Sequence, residues 1–163
     1  MNMSMPCHLS LTGKNQGKIE GSCEMLERAG TILVYALDHL VEIPRDTHTG
    51  LPTGKRIHKP MTVTKEVDKS SPKLYQALTS GEQLSEVVLD FYRIDSKGSE
   101  EKYFTTKLEN AIIVSMEAFF PETFIPANEP FKHMEKVSFT YEKVIWTWQT
   151  DGIEAEDSWK APK

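Results

Sequence analysis

Apolar residues recur at every second position along most of the chain, which predicts a mainly β protein. Cys7, Leu9 and Leu11 lie on one face of a first strand. The run Thr31–Ile43 is apolar on both faces at first and then alternates, as in a strand that is covered on both sides at one end. Met61–Val67 alternates again. These three runs are therefore expected to form the first strands of a sheet.

A hairpin is expected in the second half of the chain. Residues 82–93 alternate, and the turn Asp95–Gly98 joins them to a return strand. The return strand alternates over residues 103–116, which is long for one straight strand. We therefore expect a bend or bulge near Glu109–Asn110.

The chain after this hairpin is interrupted. Phe119–His133 contains three prolines, so it is expected to form a loop over the core. The last strand alternates over Val137–Tyr141, but its apolar phase then shifts, which predicts a second bulge around Lys143. The tail at about 150–163 is polar, and Trp159 is a candidate anchor for it.

One segment carries the signals of a short helix. Ser71 is a candidate cap, Pro72 suits the first helical position, and Gly81 is a stop signal. The helix is expected at about 71–80. Together the elements predict a compact antiparallel β-barrel, made of two curled sheets, with one flanking α-helix. Long strands also leave open edges, which can pair with another chain.

Size and charge restrict the possible partners. The 163 residues, of which 39% are hydrophobic, are expected to form a single domain over 1–163. The net charge of −5 argues against nucleic acid and against an acidic membrane surface. No apolar run approaches the roughly 20 residues that span a bilayer, so no membrane insertion is expected.

The N-terminus favours synthesis in the cytoplasm. The sequence MNMSMPCHLSLTGKNQG has neither a basic region nor an apolar region of the kind found in secretion signals. Cys7 and Cys23 should then remain thiols. If the protein leaves the cell, it is expected to do so by a route that needs no classical signal peptide.

The cation-rich loop from His48 to Pro60 resembles a phosphate-binding loop only superficially. The spacing between Gly50 and Gly54 is one residue too short, and Arg56 stands where a hydroxyl should bind magnesium. Pro52 also removes a backbone N–H donor. Metal-ligand spacings are likewise missing among the cysteines and histidines. We therefore expect no cofactor and no metal.

No catalytic motif stands out. The serines do not form a nucleophile elbow, and a cysteine–histidine pair with Cys7 or Cys23 is a formal alternative to small buried thiols. Trp146, Trp148 and Trp159 could form a ligand platform, although aromatic residues near a last strand more often close a core or a subunit interface. The sequence therefore favours a protein that is not an enzyme.

Five segments, taken together and in the order in which they occur, are diagnostic of one protein family. They cover nearly the whole chain: LSLTGKNQGKIEGSC (9–23), DHLVEIPRDTHTGLPTGKRIHKP (38–60), TKEVDKSSPKLYQAL (64–78), YFTTKLENAIIVSM (103–116) and HMEKVSFTYEKVIWTW (133–148). With them the chain resembles the Hcp family, the haemolysin-coregulated proteins that form the tube of the type VI secretion system. Two segments, Leu26–Gly30 and Phe119–Phe131, depart from the family pattern.

The resemblance implies a β-barrel similar to bacteriophage tail-tube proteins. It implies that six subunits form a ring, and that rings stack into a tube inside a contractile sheath. Sheath contraction would eject the tube with its spike, after assembly in the cytoplasm, into the extracellular space or a target cell. The ring lumen would carry and stabilise small effector proteins, so that the protein also serves as an effector chaperone.

The resemblance also assigns a role to the loop at about 44–60, which matches the extended loop that reaches a neighbouring subunit or ring in the family. Cationic side chains there can meet a neighbour's carboxylates, and Pro52 lowers the ordering cost on docking. The expected oligomer contacts are Thr47, His48, Thr49, Lys55, Arg56, His58 and Lys59.

A rival from another class is a monomeric β-barrel carrier or hydrolase with a small-molecule pocket. In that case the tryptophans and the long loop would line the mouth of the pocket. A fused effector domain is not expected, because about 15 residues after Trp148 cannot fold as another domain.

Overall fold

The computed structural model describes residues 6–25, 27–130 and 132–158. Trp159, the candidate anchor of the tail, lies outside these residues. The elements of the described chain are β1 (Cys7–Gly13), β2 (Gly17–Ile19), β3 (Ile32–Asp38), β4 (Val41–Glu42), β5 (Ile57–His58), β6 (Met61–Glu66), α1 (Ser71–Ser80), β7 (Gln83–Ile94), β8 (Glu100–Phe119), a 3₁₀ turn (Pro126–Asn128), β9 (Met134–Thr140), β10 (Lys143–Trp148) and β11 (Ile153–Ser158).

Six antiparallel strands close into a barrel. Their order is β8, β7, β1, β3, β6 and β9, and β9 pairs back onto β8. Strands β10 and β11 extend the sheet from β8, β2 pairs with β1, and β4 and β5 form a separate two-stranded ribbon. The predicted mainly β barrel with one helix is confirmed.

Strand β8 closes the barrel because it bends. Along one edge its first half pairs with β10, with Glu109 opposite Lys143, and its second half pairs with β9, with Ile112 opposite Thr140. Between these halves Asn110 adopts a φ of 51°. Asparagine tolerates this left-handed conformation better than most residues do. The bend predicted near Glu109–Asn110 is confirmed.

Other sequence expectations need correction. The bulge predicted around Lys143 is a break between β9 and β10, because the chain there follows the bend of β8. The strand predicted over Thr31–Ile43 ends at Asp38, where the chain leaves the barrel. The loop Phe119–His133 does not cover the core, since the side chain of Phe124 is 82% exposed. The polar tail supplies an edge strand, β11, which pairs with β10.

The helix has the predicted span, but its N-terminus differs from the prediction. Gly81 ends it with a φ of 69° and donates its N–H to the carbonyl oxygens of the last turn. The N-cap is Ser70, whose side chain makes no capping bond. Ser71 is instead the first helical residue, and its Oγ donates to Glu135 at 2.7 Å. Leu74 and Ala77 are fully buried against the barrel.

Aliphatic side chains and one aromatic ring fill the barrel interior. Residues that are fully buried there include Leu9, Met61, Val63, Leu84, Leu89, Leu108, Val137 and Phe139. Cys7 is buried as well, and both Cys7 and Cys23 are free thiols. Burial, and secondarily the charge of Asp90, raises the pKa of Cys7 to about 12. No helix in the described part of the chain is long and apolar enough to cross a membrane.

One ion pair lies inside this apolar interior. Lys65 and Glu135 are directly opposite each other on β6 and β9, both are 0% exposed, and Lys65 Nζ donates to Glu135 Oε1. Ser71 Oγ also donates to Glu135, and Asp68 Oδ1 lies 3.3 Å from Lys65 Nζ. The pair therefore joins β6, β9 and the start of α1.

The first prediction concerns this pair. Replacing Lys65 by Met leaves Glu135 buried without its counter-charge, and loss of one partner of a buried pair costs about 3–5 kcal/mol. We expect Lys65→Met to lower the free energy of unfolding in urea by that amount. The double variant Lys65→Met/Glu135→Leu should recover most of the loss, because it buries no charge.

The surface pair of Lys107 and Glu86 offers a matched control. Its atoms are 3.9 Å apart and the lysine side chain is 37% exposed. Lys107→Met should therefore cost less than about 1 kcal/mol. Equal losses for the two lysine variants would contradict a structural role for the buried pair.

Candidate assembly surface

A long hairpin connects β3 to β6 at one end of the barrel. We call residues 39–60 the projecting hairpin. Its arms pair through β4 and β5, with Val41 opposite His58, and Lys59 N donates to Leu40 O at 3.0 Å. Further out, Arg45 and Pro52 form an isolated bridge. The loop predicted from its prolines and glycines thus has a regular, paired backbone.

The tip of the projecting hairpin is a tight turn built on Asp46. Its Oδ1 accepts hydrogen bonds from the backbone N–H groups of His48, at 2.7 Å, and Thr49, at 3.3 Å. The backbone N–H of Asp46 donates to Leu51 O, and that of Gly50 donates to Asp46 O, both at 2.8 Å. Gly50 has a φ of 73°, which favours glycine there. The tip is therefore shaped before any partner binds.

The surface of the projecting hairpin is both apolar and cationic. The side chains of Ile43 and Leu51 are 50% and 64% exposed. Arg45, Lys55 and Lys59 are exposed too, and none of these cations forms an ion pair with another described residue. An exposed apolar group rimmed by charge is typical of a protein-binding surface.

Four side chains hold the base of the hairpin against the end of the sheet. We call Arg56, His58, Tyr141 and Asp157 the hairpin anchor. Arg56 donates to both carboxylate oxygens of Asp157, at 2.7 and 3.1 Å, and to Ser158 O at 2.7 Å. His58 Nε2 lies 2.7 Å from Asp157, and its Nδ1 lies 2.7 Å from the Tyr141 hydroxyl.

The protonation states in the hairpin anchor agree with these contacts. Burial, and then the charge of Asp157, raises the pKa of Tyr141 to about 12, so its hydroxyl remains a donor. An imidazole with its proton on Nε2 donates to Asp157 and accepts from Tyr141, which satisfies both ring nitrogens. The hydrogen bond to Asp157 raises the pKa of Arg56. Tyr141 and Arg56 therefore keep their donor protons near neutral pH.

Two aromatic neighbours complete the base. His39 stacks on Tyr141 with ring centroids 6.1 Å apart and meets Trp146 edge-on at 6.0 Å. Burial, and then the proximity of His58, lowers the pKa of His39, which favours its neutral form. Trp146 packs against the core, as expected for a tryptophan near a last strand.

The seven residues predicted as oligomer contacts divide into two groups. Thr47, His48, Thr49, Lys55 and Lys59 are exposed on the projecting hairpin. Arg56 and His58 instead contact Asp157 of the same chain. The structure thus brings the two groups together on one hairpin, whose tip and returning arm are exposed and whose base is held by Arg56 and His58. Their role in oligomer contact stays a prediction.

Sequence reasoning missed Tyr141 and Asp157. These residues are 83 and 99 positions away from His58, and no local pattern links them to the hairpin. Asp157 lies in the tail that its composition predicted only to be polar. As for metal sites, no group of three or more His, Cys, Asp or Glu side chains suited to an ion occurs within residues 6–25, 27–130 and 132–158.

Comparison with known proteins gives consistent matches. A family model described as "Type VI secretion system effector, Hcp" matches residues 8–148. The "Major exported protein" of Pseudomonas aeruginosa is 40% identical over 169 residues, covering 98% of each chain. The crystal structure of an Hcp protein has a TM-score of 0.90 at 33% identity, covering 97% of this chain and 99% of the other. The secreted protein Hcp3 from Pseudomonas aeruginosa has a TM-score of 0.79 at 35% identity, covering 96% and 99%.

The hairpin anchor leads to a second prediction. Asp157→Ala removes the acceptor for Arg56 and His58, and hydrogen bonds to charged groups contribute about 1.5–3 kcal/mol each. We expect amide hydrogen exchange in residues 41–58 to become about 10- to 100-fold faster, because local opening of the hairpin becomes easier. The barrel strands should keep their protection, as measured by exchange with mass spectrometry.

Asp151→Ala is the matched control. Asp151 accepts one hydrogen bond from Trp148 Nε1 at 3.0 Å, at an exposed site away from the hairpin. Its loss should leave exchange in residues 41–58 unchanged. If both variants behave alike, the anchor does not hold the hairpin.

Proposed function

Because the chain belongs to the Hcp family of type VI secretion proteins, we propose that it forms six-membered rings that stack into the inner tube of the secretion apparatus. The exported relative of Pseudomonas aeruginosa and the secreted Hcp3 support a protein that leaves the cell. Assembly takes place in the cytoplasm, and sheath contraction then ejects the tube with its spike. The function is structural and not enzymatic.

The projecting hairpin is the observation that carries this proposal. A monomeric protein gains little from a paired, anchored hairpin that exposes Ile43 and Leu51 to water. In a ring or a stack these side chains are buried against a neighbouring copy. The seven residues predicted as contacts serve this assembly in two ways: the exposed ones meet the neighbour, while Arg56 and His58 fix the direction in which the hairpin points.

In this proposal any cargo lies outside the barrel, because side chains of the chain itself fill the barrel interior. Leu9, Leu89, Val137 and Phe139 are fully buried, and side chains occupy the interior as in other small barrels. We propose, from the family resemblance, that small effector proteins are carried in the lumen of the ring, between subunits. The same packing argues against a monomeric carrier or hydrolase that holds its ligand inside the barrel, since such a protein needs an internal cavity.

A test of this function starts from the native mass. Light scattering on a sizing column should give about 111 kDa, six times the 18.5 kDa of one chain, because homo-oligomers close by symmetry. Negative-stain microscopy of the same fraction should show rings. A monomer at high concentration, without rings or tubes, would overturn the proposal.

The hairpin's part in assembly is tested by Leu51→Asp. A charge at the tip should weaken assembly, seen as a smaller average mass at equal concentration, because it opposes burial of the tip. Ile94→Asp is the matched control, since Ile94 is 59% exposed but lies at the end of β7. If the Leu51→Asp variant assembles as well as the wild type, the tip of the hairpin has no part in assembly.

A further inference from the structure

Exposed apolar residues lie at both ends of the barrel. The projecting hairpin precedes β6, which starts at Met61 and ends at Glu66. Beside Glu66 lies Met134, the first residue of β9. The chain that leads into β9, residues 119–130, therefore lies at the other end of β6 from the hairpin. Six strand residues separate the two ends by about 17 Å.

We call residues 119–130 the aromatic segment. The side chains of Phe120 and Phe124 are 63% and 82% exposed, and Ile125 is 36% exposed. Large exposed apolar side chains gathered on one short segment are typical of interaction sites on soluble proteins.

The aromatic segment has a defined shape even though it makes little contact with the core. Asn128 donates its backbone N–H to Ile125 O at 2.9 Å and its side-chain amide to Glu122 O at 3.2 Å. The ring of Phe120 contacts that of His133 at 5.5 Å, and His133 O accepts from Val67 N at 2.9 Å. Like the hairpin tip, the segment is ordered by its own hydrogen bonds.

The exposed charges of the aromatic segment are acidic, whereas those of the projecting hairpin are mainly cationic, with Arg45, Lys55 and Lys59 against Glu42. The aromatic segment carries Glu122 and Glu129, both exposed and without an ion pair to a described residue. The nearest cation, Lys132, lies 3.7 Å from Glu66. The projecting hairpin carries Lys55 and Lys59, also exposed. Complementary charges favour the correct pairing of two surfaces and speed their encounter.

We propose that the aromatic segment of one copy receives the projecting hairpin of the next copy, in a head-to-tail contact. Ile43 and Leu51 pack against Phe120, Phe124 and Ile125, while Lys55 and Lys59 meet Glu122 and Glu129. A contact between two different surfaces gives a closed ring or an open filament, depending on the rotation between copies. Because these two surfaces lie at opposite ends of β6, we place the contact along the stack. The inference rests on the proposed tube function and names the surface that receives the hairpin.

Zero-length cross-linking tests the contact directly. A carbodiimide joins a lysine to a carboxylate only where the two touch. Within one copy the hairpin and the aromatic segment are separated by about 17 Å of strand, so a link between them joins two copies. We expect mass spectrometry of the assembled wild-type protein to find Lys55 or Lys59 bonded to Glu122 or Glu129.

Charge exchange gives an independent test. Lys55→Glu/Lys59→Glu and Glu122→Lys/Glu129→Lys should each shorten the stacks seen in the microscope, because like charges then meet. The chain with all four changes should restore stacking, since the complementary pairs return. Lys18→Glu/Lys97→Glu is the matched control, because both lysines are exposed and neither lies on the two surfaces.

The outcomes separate this inference from the proposed function. Two results together would overturn the inference and leave the tube function standing: rings form, but the hairpin lysines cross-link only to other carboxylates, and the Glu122→Lys/Glu129→Lys variant stacks normally. A wild-type protein that stays monomeric would overturn both. Loss of stacking in both reversed variants, with recovery in the four-change chain, would support the contact.

Discussion

Closure of the barrel depends on the bend in β8. One strand of 20 residues must pair with β7 on one edge and with β10 and then β9 on the other. The positive φ of Asn110 turns the strand between these two partners. Because β10 separates from β9 at this point, β10 and β11 run past the base of the projecting hairpin and bring Asp157 to Arg56. The bend that closes the barrel therefore also positions the hairpin anchor.

The buried pair of Lys65 and Glu135 adds a constraint of another kind. Burying two charges is costly, and a well-packed apolar pair would often be as stable. Glu135 Oε2 has no hydrogen-bond partner among the described residues, so the carboxylate is only partly compensated. A register shift of one residue in either strand would turn the inward side chains of that strand outward, which would leave the other charge buried without its partner. We infer that the pair fixes the register of β6 against β9, and with it the positions of the hairpin and the aromatic segment at the two ends of these strands.

Local sequence patterns predicted the features that depend on residues close together in the chain, namely the strands and the bend. The period of two located the barrel strands, and the length of the apolar run predicted the bend at Asn110. In the structure Lys65 lies in line with Met61 and Val63 on the inward face of β6, a buried position that was not predicted for a lysine. What the sequence did not reveal depends on distant pairing. Asp157 meets the hairpin only because β11 pairs with β10, and the polar residues of β11 carry no alternation that would show this.

Rigid attachment of an exposed tip is the feature of this fold that suits the proposed assembly. Ordering a flexible loop at an interface lowers affinity, because each side chain that is immobilised on binding loses entropy. Here Asp46 shapes the tip and the hairpin anchor fixes the base, so that ordering occurs when the chain folds and not when copies meet. The Arg56–Asp157 contact also couples the hairpin to the last strand. A change at the end of the sheet can therefore alter the direction of the hairpin without touching a single residue of its exposed surface.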